Sequence, residues 1–244
     1  MKRVVTTFIL TVFLAAAVTG LAPERLEQAE ISFTANHSFS YERQPDSMFE
    51  SLTATMTWLP MSTTTQSADT SVENGEIEDD EVVVERTRPD SFTTSITSRI
   101  VSDRNEPRIE DPTPFPFDSV DQSLVRSQSK YLQSTELINV TPRIRGITTD
   151  VVAEEETLRG VVDTVAAWTS TNIEYNLSTT NAEANLPSDQ VLAQRNGVCD
   201  EITNLFIAQL RSLGIPARYV SGVAYTESDL FDSRWGAHSW AEVY

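Results

Sequence analysis

Asn196-Gly197-Val198-Cys199-Asp200-Glu201-Ile202-Thr203-Asn204-Leu205-Phe206-Ile207-Ala208-Gln209-Leu210-Arg211-Ser212-Leu213-Gly214-Ile215-Pro216 is the stretch on which the reading of this chain turns. Ile202, Leu205, Phe206, Leu210 and Leu213 recur at helical spacing and make one apolar stripe, and Gly214 followed by Pro216 ends the helix. Cys199 stands directly before the stripe, so it falls in the first turn. Backbone N–H groups there lack partners and the helix dipole favours an anion, a setting expected to lower a cysteine's pKa and supply thiolate. Those N–H groups also suit a developing oxyanion, and Gly197 leaves room for a substrate backbone. β-strands are expected at 217–225 and 238–244.

Upstream of this stretch the helical period continues. Leu158, Val161, Val162, Val165 and Trp168 share one face, with Glu154, Glu155 and Glu156 placed where a helix N-terminus favours negative charge. Ser119 and Gln122 have capping-box spacing, ahead of Leu124, Gln128, Tyr131 and Leu132 on a moderately amphipathic helix. Helices preceding strands make residues 119–244 an α+β domain.

The N-terminal part follows a different period. Ile31, Phe33, Ala35, His37, Phe39 and Tyr41 alternate with Ser32, Thr34, Asn36, Ser38 and Ser40, the pattern of a half-buried strand. Leu52, Ala54, Met56 and Trp58 alternate with threonines, 92–101 is β-rich, and 82–84 is a candidate fourth strand. An antiparallel β domain over 30–104 follows. Within it, residues 62–81 are Ser/Thr-rich and then acidic, with seven acids from Asp69 to Glu81, and a mobile loop is expected there. Pro107, Pro112, Pro114 and Pro116 mark a stiff linker over 105–118.

Lys2 and Arg3 precede an uncharged run over 4–22 that ends in small residues, the order of a secretory signal. The run also approaches the length of a membrane-spanning anchor, so export leaves a secreted or a tethered protein open. Across the 244 residues there are 36 acidic and 18 basic side chains, a net charge of −18 that repels phosphate backbones and excludes nucleic acid as a partner. Lys2 and Lys130 are the lysines; the other basic residues are arginines. An acidic, lysine-poor surface fits a halophilic source. The expected result is a thermal midpoint that rises from low salt to molar KCl as self-repulsion is screened; a flat or falling midpoint argues against it.

Cys199 is the one cysteine in the sequence, which excludes an intrachain disulfide and a multi-cysteine metal site. Residues 69–81 lack the spaced ligands and glycine of an EF-hand, so neither metal nor cofactor is expected. A thiolate nucleophile needs a proton shuttle, for which histidine is suited, and there are two histidines. His37 lies on the apolar face of the first strand and reads as structural. His238 opens the last strand after Gly236, at a junction able to aim its ring at the helix start.

Three blocks together, 196–201, Leu213-Gly214-Ile215-Pro216-Ala217-Arg218-Tyr219-Val220-Ser221-Gly222 and Ala237-His238-Ser239-Trp240-Ala241-Glu242-Val243, resemble the core of the transglutaminase-like superfamily, with Ile173-Glu174-Tyr175 resembling the stretch before its cysteine. The resemblance covers about 158–244. It implies a papain-like α+β domain in which Cys199 attacks an amide or peptide carbonyl and His238 acts as base and then acid. It places an orienting aspartate on the next strand, beyond Tyr244, so the domain is expected to be incomplete at its C-terminus. Glu242, of the same strand parity as His238, is a weaker substitute for that acid. The activity implied is acyl transfer from a peptide or protein substrate, hydrolysis ahead of cross-linking. A non-catalytic cell-surface binding protein that keeps the fold is the alternative.

Overall fold

In the computed structural model the described residues are 11–13, 30–43, 50–57, 59–63, 66–103, 113–116, 126–177, 185–225 and 235–244. They fall into two units, 1–108 and 109–244. In the first, β2 (Glu30–Glu42) and β7 (Ser91–Asp103) pair antiparallel along their full length, from Glu30 opposite Asp103 to Glu42 opposite Ser91. Threonine, serine and aromatic residues dominate both strands, and their side chains suit a pleated, half-buried surface. β1 (Thr11–Phe13) and β4 (Gln66–Glu73) flank this pair in the order β1-β2-β7-β4. A second sheet has the order β3-β6-β5, from Ser51–Met56, Glu81–Thr87 and Glu76–Glu78. Val82, Val84 and Ile96, all fully buried, join the two sheets, with Phe39, Ala54, Met56, Val72 and Phe92 packed around them. His37 is buried within the same unit, and burial lowers its pKa.

Residues 62–81 depart from the loop expected of them. Gln66–Glu73 is a strand against β7, with Ala68 opposite Ile100 and Val72 opposite Ile96, and its Thr70 hydroxyl bonds the Ser98 hydroxyl at 2.9 Å. Alternation in this stretch runs through Ala68, Thr70 and Val72, so small and hydroxylated residues fill the inward positions that a search for large apolar residues passes over. Asn74 (φ 62°) begins the step from β4 into β5, and its carbonyl accepts from Arg86 at 2.6 Å. Asp79 and Asp80, both at positive φ, close the two-residue hairpin between β5 and β6. Part of the acidity is therefore turn chemistry.

The second unit is built on α4 (Cys199–Ser212). Leu205, Ile207, Ala208 and Leu210 are all fully buried, so α4 is covered on more than the single stripe read from its spacing. Helices α1 (Pro142–Val151), α2 (Leu158–Asn172) and α3 (Ser188–Gln194) pack on it, and so do β10 (Ala217–Tyr225) and β11 (Trp235–Val243). Buried Gln209 is held by the Thr169 hydroxyl of α2 at 2.8 Å. β10 and β11 pair antiparallel from Ala217 opposite Val243 to Tyr225 opposite Trp235.

Helix α1 escapes a search by apolar spacing, yet its start is written locally: Thr141 caps Ile144 N–H at 3.3 Å and Pro142 follows at the first helical position. Where a continuous helix was expected through Tyr131 and Leu132, the described part is a 3₁₀ turn, Ser129–Leu132. Of the linker, 113–116 is described, and it is docked on the start of α2: Phe115 N–H donates to Glu156 O at 2.8 Å and Leu158 N–H to Thr113 O at 2.9 Å. Ser119, Gln122, Leu124, Trp58 and all of 1–22 except Thr11–Phe13, where a secretory signal or anchor is expected, lie outside the described residues. Among those residues, no helix is long and apolar enough to cross a membrane.

Candidate active site

The first turn of α4 is held open by a buried carboxylate. Val198 is the N-cap and has no side-chain acceptor, so the usual hydroxyl-to-backbone bond cannot form. Glu201, at the third helical position and 3% exposed, reaches back instead: one oxygen accepts from Val198 N–H at 3.0 Å and the other from Leu186 N–H at 3.3 Å. Gly197 makes room for this, since a Cβ there would stand 3.1 Å from both Cβ and Oε2 of Glu201. Cys199 is the first helical residue.

Beside it, β8 (Glu174–Tyr175) and β9 (Asn196–Gly197) form a short parallel pair with Tyr175 opposite Gly197. Asn176 N–H donates to Gly197 O at 3.0 Å, which ties the end of α2 to the approach to Cys199. The half-buried Cys199 thiol donates to Asp200 Oδ1 at 3.3 Å, and the same oxygen accepts from the Tyr219 hydroxyl at 3.2 Å. Ser239 and the Tyr175 hydroxyl complete the surroundings of the sulphur.

Burial pushes the Cys199 thiol above its ordinary pKa, the hydrogen bond to Asp200 adds to this, and Ser239 opposes it without reversing the direction. The lowering expected from the helix N-terminus is therefore overturned: the dipole's favoured anion is already present as Asp200, and it sits on the thiol. Tyr219 is pushed up to about 12, first by its own burial and then by the charge of Asp200. Tyr175 is also raised, by burial and by Cys199.

His238 lies on β11 opposite Gly222 and is exposed. Its neighbour Ser239 is buried and hydrogen-bonds Thr203 of α4 through both its carbonyl and its hydroxyl at 3.4 Å, one helical turn from Cys199. Strand parity thus turns Ser239 toward the sulphur and His238 toward the face of Trp240 and Glu242. Among the described residues no hydrogen bond joins the imidazole to the thiol. Glu242 is engaged elsewhere, with Arg218 Nε at 2.6 Å and its terminal nitrogen at 2.5 Å, so the carboxylate considered as a substitute orienting group is a cross-strand ion pair.

Residues 145–244 match the sequence model of the transglutaminase-like superfamily. They form a transglutaminase-like core. The crystal structure of a candidate cysteine protease from Cytophaga hutchinsonii is similar to this chain at a TM-score of 0.63 and 20% identity, covering 89% of this chain and 74% of that one. The periplasmic domain of TgpA from Pseudomonas aeruginosa gives a TM-score of 0.43 at 15% identity, over 86% and 65% of the two chains. An uncharacterized protein of Mycobacterium leprae is 25% identical over 156 residues, 63% of this chain. The chain spans about half, 54%, of the length of that curated relative.

Within the transglutaminase-like core, four groups at the sulphur carry roles that the motifs did not disclose. Asp200 reads in sequence as a helix N-terminal charge, and Tyr219, Tyr175 and Ser239 read as strand residues. The parity shared by Tyr219, Ser221, Ser239 and Ala241 marks the face toward α4, but the parallel β8–β9 pairing that delivers Tyr175 has no local signature. Trp240 is 40% exposed and lies across Gly222, where a Cβ would stand 2.5 Å from its Cη2. The indole needs a glycine on the facing strand to lie flat there. The side chain of Trp235 lies outside those described. Among the described residues no cluster of three or more His, Cys, Asp or Glu is arranged to hold a metal ion.

Proposed function

We propose that the chain is an exported thiol enzyme that hydrolyses a peptide or amide bond through a thioester on Cys199, with His238 moving the proton. The observation that carries this reading is the convergence at the start of α4: Cys199 in the first turn, and β11, which bears His238, bonded to the same helix through Ser239 and Thr203. In the first half-reaction Sγ forms a bond to the carbonyl carbon, and the carbonyl oxygen gains charge near the N–H groups of the first turn. The thiol proton passes to the imidazole and on to the departing amine as the C–N bond breaks. Water then loses a proton to the imidazole and attacks the thioester, and the S–C bond breaks to restore the thiol. Catalytic hydrogen bonds are often long before substrate binds, and the imidazole, which lies on the opposite strand face from Ser239, reaches the sulphur in this proposal only when β11 shifts with substrate in place. The leader over 4–22 and the peptide substrate belong to this proposal.

A second reading, a binding protein with an idle thiol, is favoured by one observation: the proton of Cys199 is held by Asp200, and among the described residues no hydrogen bond joins the thiol to an imidazole. Intact mass after brief exposure to a panel of peptide p-nitroanilides separates the two. The expected result is an acyl adduct on the chain that is lost to water with time and never forms in Cys199→Ala. Turnover that persists in Cys199→Ala overturns the proposal.

A further inference from the structure

Asp200 sits where the family motif was read as a plain helix charge, yet its carboxylate faces the sulphur. We infer that Asp200 is a positioning residue that latches the Cys199 thiol in its protonated form, with Tyr219 anchoring the latch, until a substrate or the His238 ring displaces it. This rests on the reading of Cys199 as the nucleophile. One oxygen, Oδ1, takes both bonds, from Sγ at 3.3 Å and from the Tyr219 hydroxyl at 3.2 Å. The phenol comes from β10, so the sheet, and not α4 alone, sets the carboxylate's direction. Asp200 and a Cys199 thiolate share the same helix N-terminus, and beside the carboxylate a thiolate meets a like charge and loses the bond in which the thiol donates. The direction of the thiol's pKa agrees with this arrangement.

The groups facing the sulphur are Asp200 from α4, Tyr175 from β8, Tyr219 from β10 and Ser239 from β11. Glu201 is tied to backbone N–H groups of Val198 and Leu186, which leaves Asp200 as the carboxylate bonded to the thiol. The latch keeps the nucleophile from oxidants and alkylating agents, and makes its activation depend on what enters the site.

Because the chain has one cysteine, iodoacetamide reports on this thiol alone, without substrate. The rate against pH is compared in the full chain and in Asp200→Asn, with the thermal midpoint confirming folding. The expected result is a midpoint lower by about one pH unit in Asp200→Asn. At pH 7 the rate rises about threefold, since tenfold more thiolate is offset by its lower intrinsic nucleophilicity. Tyr219→Phe keeps both partners and frees the carboxylate, and moves the midpoint the same way by less. If Asp200→Asn does not fold, Tyr219→Phe decides. Profiles that superimpose, or that move to higher pH, overturn the latch. Failure of amide turnover leaves this measurement intact, so the latch and the proposed hydrolysis fail separately.

Discussion

Replacing His238 with glutamine is expected to lower Cys199-dependent amide turnover by roughly two to four orders of magnitude, the range supplied by a positioned acid–base group. Glutamine keeps the volume and a hydrogen-bonding end but cannot carry a proton across the working pH range. The loss should be large here because the thiol begins protonated, with burial and Asp200 both opposing its ionisation. Without the imidazole, the proposed route of the thiol proton to the leaving amine is lost. The effect falls on kcat with KM little changed. Glu242→Gln is the contrast: Glu242 pairs with Arg218 on the partly exposed strand face, so turnover should stay within about twofold, as for other surface ion pairs worth little. Equal losses in the two variants would show that strand β11, and not the imidazole, is what matters.

Glu201→Ala is expected to destabilise the second unit by about 3 kcal/mol, because two partly buried N–H groups lose their carboxylate acceptor at once. Val198 N–H and Leu186 N–H both turn inward to this carboxylate, and at 3% exposure water does not replace it readily. The valine N-cap has nothing to offer in its place. For a chain of this size the corresponding fall in thermal midpoint is roughly 6–12 °C, read on the transition of the second unit. The first turn of α4 should fray with it, and iodoacetamide should then find Cys199 more exposed. Glu201→Gln retains one acceptor oxygen but turns an NH₂ toward a donor, and should lie between the two. A midpoint unchanged in Glu201→Ala would mean that another group takes both bonds.

Much of the local structure is legible in the chain because it depends on near neighbours. Alternation over 31–41 makes β2 wherever its partner lies, and the run from Ile202 to Leu213, stopped at Gly214, makes α4. Cys199 at the start of that helix follows from the same count, and His238 on the last strand follows from the motif around it. The strand within 62–81 was hidden for the opposite reason: Ala68, Thr70 and Val72 carry little hydrophobic signal, and they become strand only because β7 offers a waiting edge. What surrounds the sulphur is tertiary throughout. Asp200, Tyr219, Tyr175 and Ser239 come from a helix, two different strands of one hairpin and a two-residue parallel bridge, and no spacing in sequence relates them. A cysteine's place in a helix sets the sign of the dipole acting on it. Whether that field produces a thiolate depends on burial and on which other anion stands within hydrogen-bonding distance, and these are settled only when the sheet closes over the helix.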